Sequence, residues 1–162
     1  MIYAVADASV AVKWFLPPTE AEQGHDRAVA FLQGVKSGQI ALRQPPHWLA
    51  EVAAVLSRLA PATARQNIED LYAMRIPVME TPEIYVAASK LAVSLDQHLF
   101  DTLYHAVALV SPGCTLVTAD ERYYDKAHKE GSIALLSDFD LAGGKQSSQS
   151  SSKSSGALER LQ

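Results

Sequence analysis

The chain has 162 residues, a one-domain length, and its 48% hydrophobic and 20% charged content excludes disorder for the bulk of it. A single cysteine, Cys114, excludes an internal disulfide and a zinc ribbon. The formal charge is −4; without residues 143–162, 11 Lys and Arg face 17 Asp and Glu, near −6, which excludes nucleic-acid binding through a broad basic surface.

Ile2-Tyr3-Ala4-Val5-Ala6 is a short apolar run ending at Asp7, the pattern of a strand buried on both faces. No basic residue precedes it and Asp7 interrupts it, so it does not read as a secretory signal, and a cytoplasmic protein is expected. Ala8 to Leu16 predicts a short helix stopped by Pro17-Pro18. Thr19-Glu20-Ala21-Glu22 opens a helix to about Lys36, with acids in its first turn. Ile40-Ala41-Leu42 is a weak strand, and helices follow over His47 to Leu59 and Ala62 to Met74, separated at Pro61. Ile76 to Met79 is extended, and Thr81-Pro82 starts a helix to about Leu95.

Leu99 to Val110 is a further helix, and Pro112-Gly113 turns into the strand Thr115 to Thr118. The uncharged run from Thr102 to Thr118 is broken by that turn, so no membrane span is expected. Asp120 to Lys129 is helical, Gly131 caps it, and Ile133 to Leu136 is the last strand. Alternating strands and helices predict an α/β domain with a mainly parallel sheet. Residues 143–162 hold seven serines and predict a flexible tail, native or added, separate from a folded domain over residues 1–142.

In such sheets ligands bind at the carboxyl ends of the strands, where Asp7 and Asp120 fall. The plain reading of either alone is a helix cap. Glu51 and Asp101 are each the sole acid in an apolar helical stretch, and a buried carboxylate needs a compensating partner, hydrogen bonds or a cation. Asp101 has the helix N-terminus; Glu51, a turn further in, has less excuse. If the four converge, they repel unless Mg²⁺ or Mn²⁺ sits among them, and such ions support phosphodiester hydrolysis.

At these residues the chain resembles the PIN-domain nucleases, in particular the VapC-type ribonuclease toxins of bacterial toxin–antitoxin pairs. The matching segments are Val5-Ala-Asp-Ala-Ser9, Val12-Lys-Trp-Phe-Leu16, Pro46-His-Trp-Leu-Ala-Glu51-Val, Phe100-Asp-Thr-Leu-Tyr-His-Ala-Val-Ala-Leu109 and Leu116-Val-Thr-Ala-Asp-Glu-Arg-Tyr123, spread from Met1 to about Asp140. The resemblance implies a three-layer α/β/α sandwich, Mg²⁺ or Mn²⁺ dependence, endonucleolytic RNA cleavage and a homodimer. It also implies a cognate antitoxin whose tail inhibits the site. It makes Asp7, Glu51, Asp101 and Asp120 the catalytic, metal-holding acids and Thr118 the supporting hydroxyl. Asp96, five residues before Asp101, is an extra acid read as a cap or turn residue.

Other residues have plainer readings beside functional ones. His105, on the face of Asp101, is a phosphate contact or a satisfied buried histidine. Lys13 either approaches the scissile phosphate or snorkels from an apolar helix. Arg122 and Lys126 bind RNA phosphates or an antitoxin carboxylate, or form a solvated face. Trp14, Phe15 and Trp48 read as core or interface, and Ser9 has no activating histidine near it in sequence. Two further functions compete with the nuclease. One is an aspartyl-phosphate phosphatase, weakened by Ser9 standing where a second Asp is usual; the other is a catalytically silent PIN-like RNA- or protein-binding domain.

Overall fold

A computed structural model describes residues 1–18 and 24–142. The Ser-rich stretch, and the helix start expected at Thr19 to Glu22, lie outside the described residues.

Among the described residues, four parallel strands form one sheet: β1 (Ile2–Ala6), β2 (Ile40–Leu42), β3 (Cys114–Thr118) and β4 (Ile133–Leu135), in the order β2-β1-β3-β4. Ala4, Val5 and Ala6 are all fully buried. Successive strand residues face opposite sides, so both faces of β1 are covered. That is why the strand reads as an unbroken apolar run, and it makes the domain three-layered.

Helix α1 (Ala8–Ala11) leaves β1 directly and tightens into a 3-10 turn over Val12–Trp14. The described part of α2 covers His25–Lys36. Between β2 and β3 the chain inserts α3 (Trp48–Leu59), α4 (Ala64–Ala73), α5 (Pro82–Leu95) and α6 (Leu99–Val110), and α7 (Glu121–Ala127) precedes β4. α5 starts as its sequence requires: Thr81 Oγ1 accepts the Ile84 amide, with Pro82 at the first helical position. Helix α6 is buried at every residue from Thr102 to Ala108, which explains its lack of charge after Asp101. Trp14 stacks near Phe31 and Trp48 is buried, so these aromatics belong to the core.

The crossover from β1 goes one way to β2, whereas β3 lies on the other side of β1. The switch point of the sheet is therefore the gap between β1 and β3. Their register pairs Ala6 with Val117, and the Asp7 amide donates to the Val117 carbonyl (3.0 Å), so Asp7 stands beside Thr118 at that point.

Candidate active site

Asp7 is the centre of the polar network at the strand ends. Its Oδ2 accepts the Ser9 hydroxyl and the Thr118 hydroxyl, the latter at 3.0 Å. Each hydroxyl also accepts a backbone amide: Ser9 Oγ from Ala119 (3.0 Å) and Thr118 Oγ1 from Asp120 (3.1 Å). Two hydroxyls thus fasten the β3–α7 loop to the Asp7 carboxylate. Ser9 spends its proton on Asp7, which supports it as a positioning group and gives no support to a serine nucleophile.

The Asp7 carboxyl is raised from the ordinary 3.8 to about 6. Burial is the chief cause, the two hydroxyls oppose it, and the charges of Glu51 and Asp101 add to it. Asp7 therefore feels the charges of two more of the expected acids across the strand end.

Glu51 is about one-third exposed rather than buried; its Oε2 accepts Tyr104 Oη (3.0 Å) and lies 3.2 Å from His47 Nε2. Tyr104 itself is buried, and burial together with Glu51, Asp7 and Asp101 pushes its hydroxyl far up, so it stays a proton donor. Asp101 Oδ2 accepts Gln97 Nε2 (2.8 Å), and Gln97 Oε1 in turn accepts Lys126 Nζ (3.2 Å).

Asp120 carries out the plain role: its Oδ1 accepts the Tyr123 amide (3.1 Å) as the N-cap of α7. It remains joined to the centre through its own amide on Thr118. Asp96 is exposed and ends α5 in a left-handed conformation (φ 48°), a turn residue as expected. His105 is fully buried, with Nδ1 3.0 Å from Tyr123 Oη and Nε2 2.7 Å from the Gly131 carbonyl, a satisfied core histidine. Arg122 and Lys126 border a cavity of about 250 Å³ with Gln97, Asp120 and Tyr123.

Gln97, Tyr104 and His47 escaped the sequence reading as members of the site. Tyr104, three residues after Asp101 on the same helix, offered a spacing signal. Gln97 and His47, four residues before Asp101 and Glu51, offered the one-turn spacing too, whereas the bond of Tyr104 to Glu51 depends on how α6 meets α3.

Each of the four acids lends a single oxygen to the protein bonds above, and among the described residues none uses its second. Free carboxylate oxygens beside an unneutralised, raised Asp7 suit a hard divalent cation in charge and donor type. Among the described residues, no three His, Cys, Asp or Glu side chains stand close enough to hold an ion as placed. The donors fit in chemistry, and an ion would need side-chain movement to complete its sphere.

The chain belongs to the PIN domain family, which it matches over residues 4–129, from β1 to just beyond α7. PIN domains are typically metal-dependent nucleases that act on RNA. A comparison with curated proteins finds no match to this sequence. Among the described residues no helix is long and apolar enough to cross a membrane.

Proposed function

We propose that this PIN domain is an endoribonuclease dependent on Mg²⁺ or Mn²⁺, acting as the VapC-type toxin of a toxin–antitoxin pair in the cytoplasm. Asp7, Glu51, Asp101 and Asp120 are its catalytic and metal-holding residues. The observation that carries this is the Asp7 carboxyl, held at a sheet switch point by Ser9 and Thr118 and unneutralised beside Glu51 and Asp101.

A divalent cation, when bound, offsets the carboxylate charge and acidifies the water that attacks phosphorus. The protein's own groups do the rest. Ser9 and Thr118 fix Asp7; Tyr104 fixes Glu51; Gln97 fixes Asp101, each bond leaving the second oxygen for a ligand. Lys126, steered by the Asp96 carbonyl and Gln97, and its neighbour Arg122 offer cations to the RNA phosphates flanking the cut.

Partner readings rest on apolar surface. Tyr85, Val86 and Val93 are exposed on α5, which suits a homodimer face. A cavity of about 510 Å³ beside α3 and α4, bordered by Trp48, Leu49, Leu71, Tyr72, Ile76 and Val78, suits an apolar antitoxin segment.

The test incubates purified protein with structured and single-stranded RNA in Mg²⁺, Mn²⁺ or EDTA, beside Asp101→Asn. Cleavage is expected with metal only, and Asp101→Asn should lower it by at least about a hundredfold, a typical loss for a group acting on developing charge. Equal cleavage in EDTA, or a fully active Asp101→Asn, would sink the assignment. Growth arrest on expression, abolished by the same substitution, checks the toxin role. The alternative, a catalytically silent RNA- or protein-binding domain, is favoured by the absence of a ready three-ligand cluster among the described residues. It predicts metal-free RNA binding with no cleavage.

A further inference from the structure

Beside the carboxylates lies a cavity of about 430 Å³ bordered by His47, Ala50, Glu51, His98, Phe100 and Asp101. That volume falls in the range of ordinary small-ligand pockets, roughly 300–1,000 Å³. Its walls are unusual for an acidic site, because three of the six side chains are aromatic rings. Phe100 is 61% exposed although it is a large apolar residue in the first turn of α6. It is not loose: its ring lies 5.4 Å from that of His47, which is itself braced edge-on by Tyr104 at 4.8 Å. Both ring nitrogens of His47 are buried and make no hydrogen bond, although Nε2 lies within ion-pair distance of Glu51.

A braced, exposed aromatic face at the mouth of this cavity is equipped for a flat heterocycle that stacks on it. The cavity is continuous with Glu51 and Asp101, so a ring seated there belongs to a nucleotide whose phosphate is close to the candidate cutting site. We infer that this cavity is a nucleobase subsite. In it Phe100, braced from behind by His47, stacks on one unpaired base of a single-stranded RNA, beside the scissile phosphate. This rests on the nuclease reading above for its substrate. The base it takes is an unpaired one, because a base inside a duplex already has both faces stacked.

The test does not depend on cleavage. Single-stranded oligoribonucleotides carrying 2-aminopurine at successive positions are titrated with the protein in Ca²⁺, which offsets the carboxylate charge, using wild type, Phe100→Ala and Phe100→Trp. Wild type should quench the fluorescence at one position. Phe100→Ala should lose that quenching and bind about tenfold more weakly, the scale of one lost base–aromatic stack. Phe100→Trp should restore both, and duplex RNA of the same sequence should compete poorly. Phe100 is mostly exposed, so the alanine variant should keep its circular dichroism and melting temperature. Binding and quenching by Phe100→Ala equal to wild type would overturn the subsite and assign the face to a protein partner. So would a wild type that binds no RNA. Stacking without any Mg²⁺-dependent cleavage would keep the subsite and sink the nuclease; cleavage indifferent to Phe100 would do the reverse.

Discussion

Asp7 holds its carboxylate where folding and function disagree. Its pKa of about 6 in the fold, against 3.8 ordinarily, means that the folded protein keeps a proton that the unfolded chain has already lost in that window. Stability contributed by this group is therefore greatest at low pH, falls as pH rises from about 4 to about 6, and stays reduced above it. His105 works in the opposite sense, since burial lowers its pKa and the fold disfavours its protonation as pH falls. Comparison with Asp7→Asn isolates the Asp7 contribution, because His105 is common to both proteins. In EDTA at neutral pH, Asp7→Asn should be more stable than wild type by on the order of 2 kcal/mol, a figure reduced for the part-exposure of the residue. The gap should close near pH 4, and a divalent ion should narrow it at neutral pH by neutralising the wild-type carboxylate. Urea unfolding of both proteins across pH checks it. A wild type as stable as Asp7→Asn at neutral pH in EDTA would mean the carboxyl is already compensated by other means.

Between elements, the join that matters most for the site is one that composition hides. Gln44 is fully buried after β2, where Pro45-Pro46 ends any further ladder. Its backbone turns away to pair with the segment at Pro77 and Met79. Its side-chain amide instead grips Ala6, accepting from the Ala6 amide (2.9 Å) and donating to the Ala6 carbonyl (2.9 Å), as a strand peptide would. This holds β1 at the residue before Asp7. Gln44→Leu, of similar volume, should cost about 2–4 kcal/mol in urea unfolding because it strands two buried polar groups. Loss under about 1 kcal/mol would show that Ala6 finds other partners. The elements themselves were legible: apolar runs marked β1 and β3, and Thr81-Pro82 marked the start of α5. Strand order and register were not, since any parallel arrangement buries those runs equally well. The four candidate acids stand out in sequence by residue type, whereas the reach of Tyr104 from α6 to Glu51 on α3 leaves no trace in the sequence.

Over the whole molecule, charge decides how RNA can be held. Residues 1–142 carry 17 acids against 11 Lys and Arg, and the acids at the strand ends repel a phosphate backbone until a cation intervenes. Among the described residues, two cations border the cavity at Asp120: Lys126, tied to Gln97 and the Asp96 carbonyl, and Arg122. A binding mode with so few phosphate contacts releases few counterions, about 0.7 per contact on a single strand. The Asp101→Asn variant in EDTA should therefore bind single-stranded RNA with a log–log salt slope of about −1 to −2. Replacing Lys126 with Ala should flatten the slope by about 0.7 and weaken binding alike for every sequence, because a phosphate contact carries no base information. Fluorescence anisotropy over a range of salt concentrations measures both. A slope steeper than about −4 would require a phosphate track much longer than these two cations supply, and would move the RNA path away from the Phe100 cavity to another face of the domain.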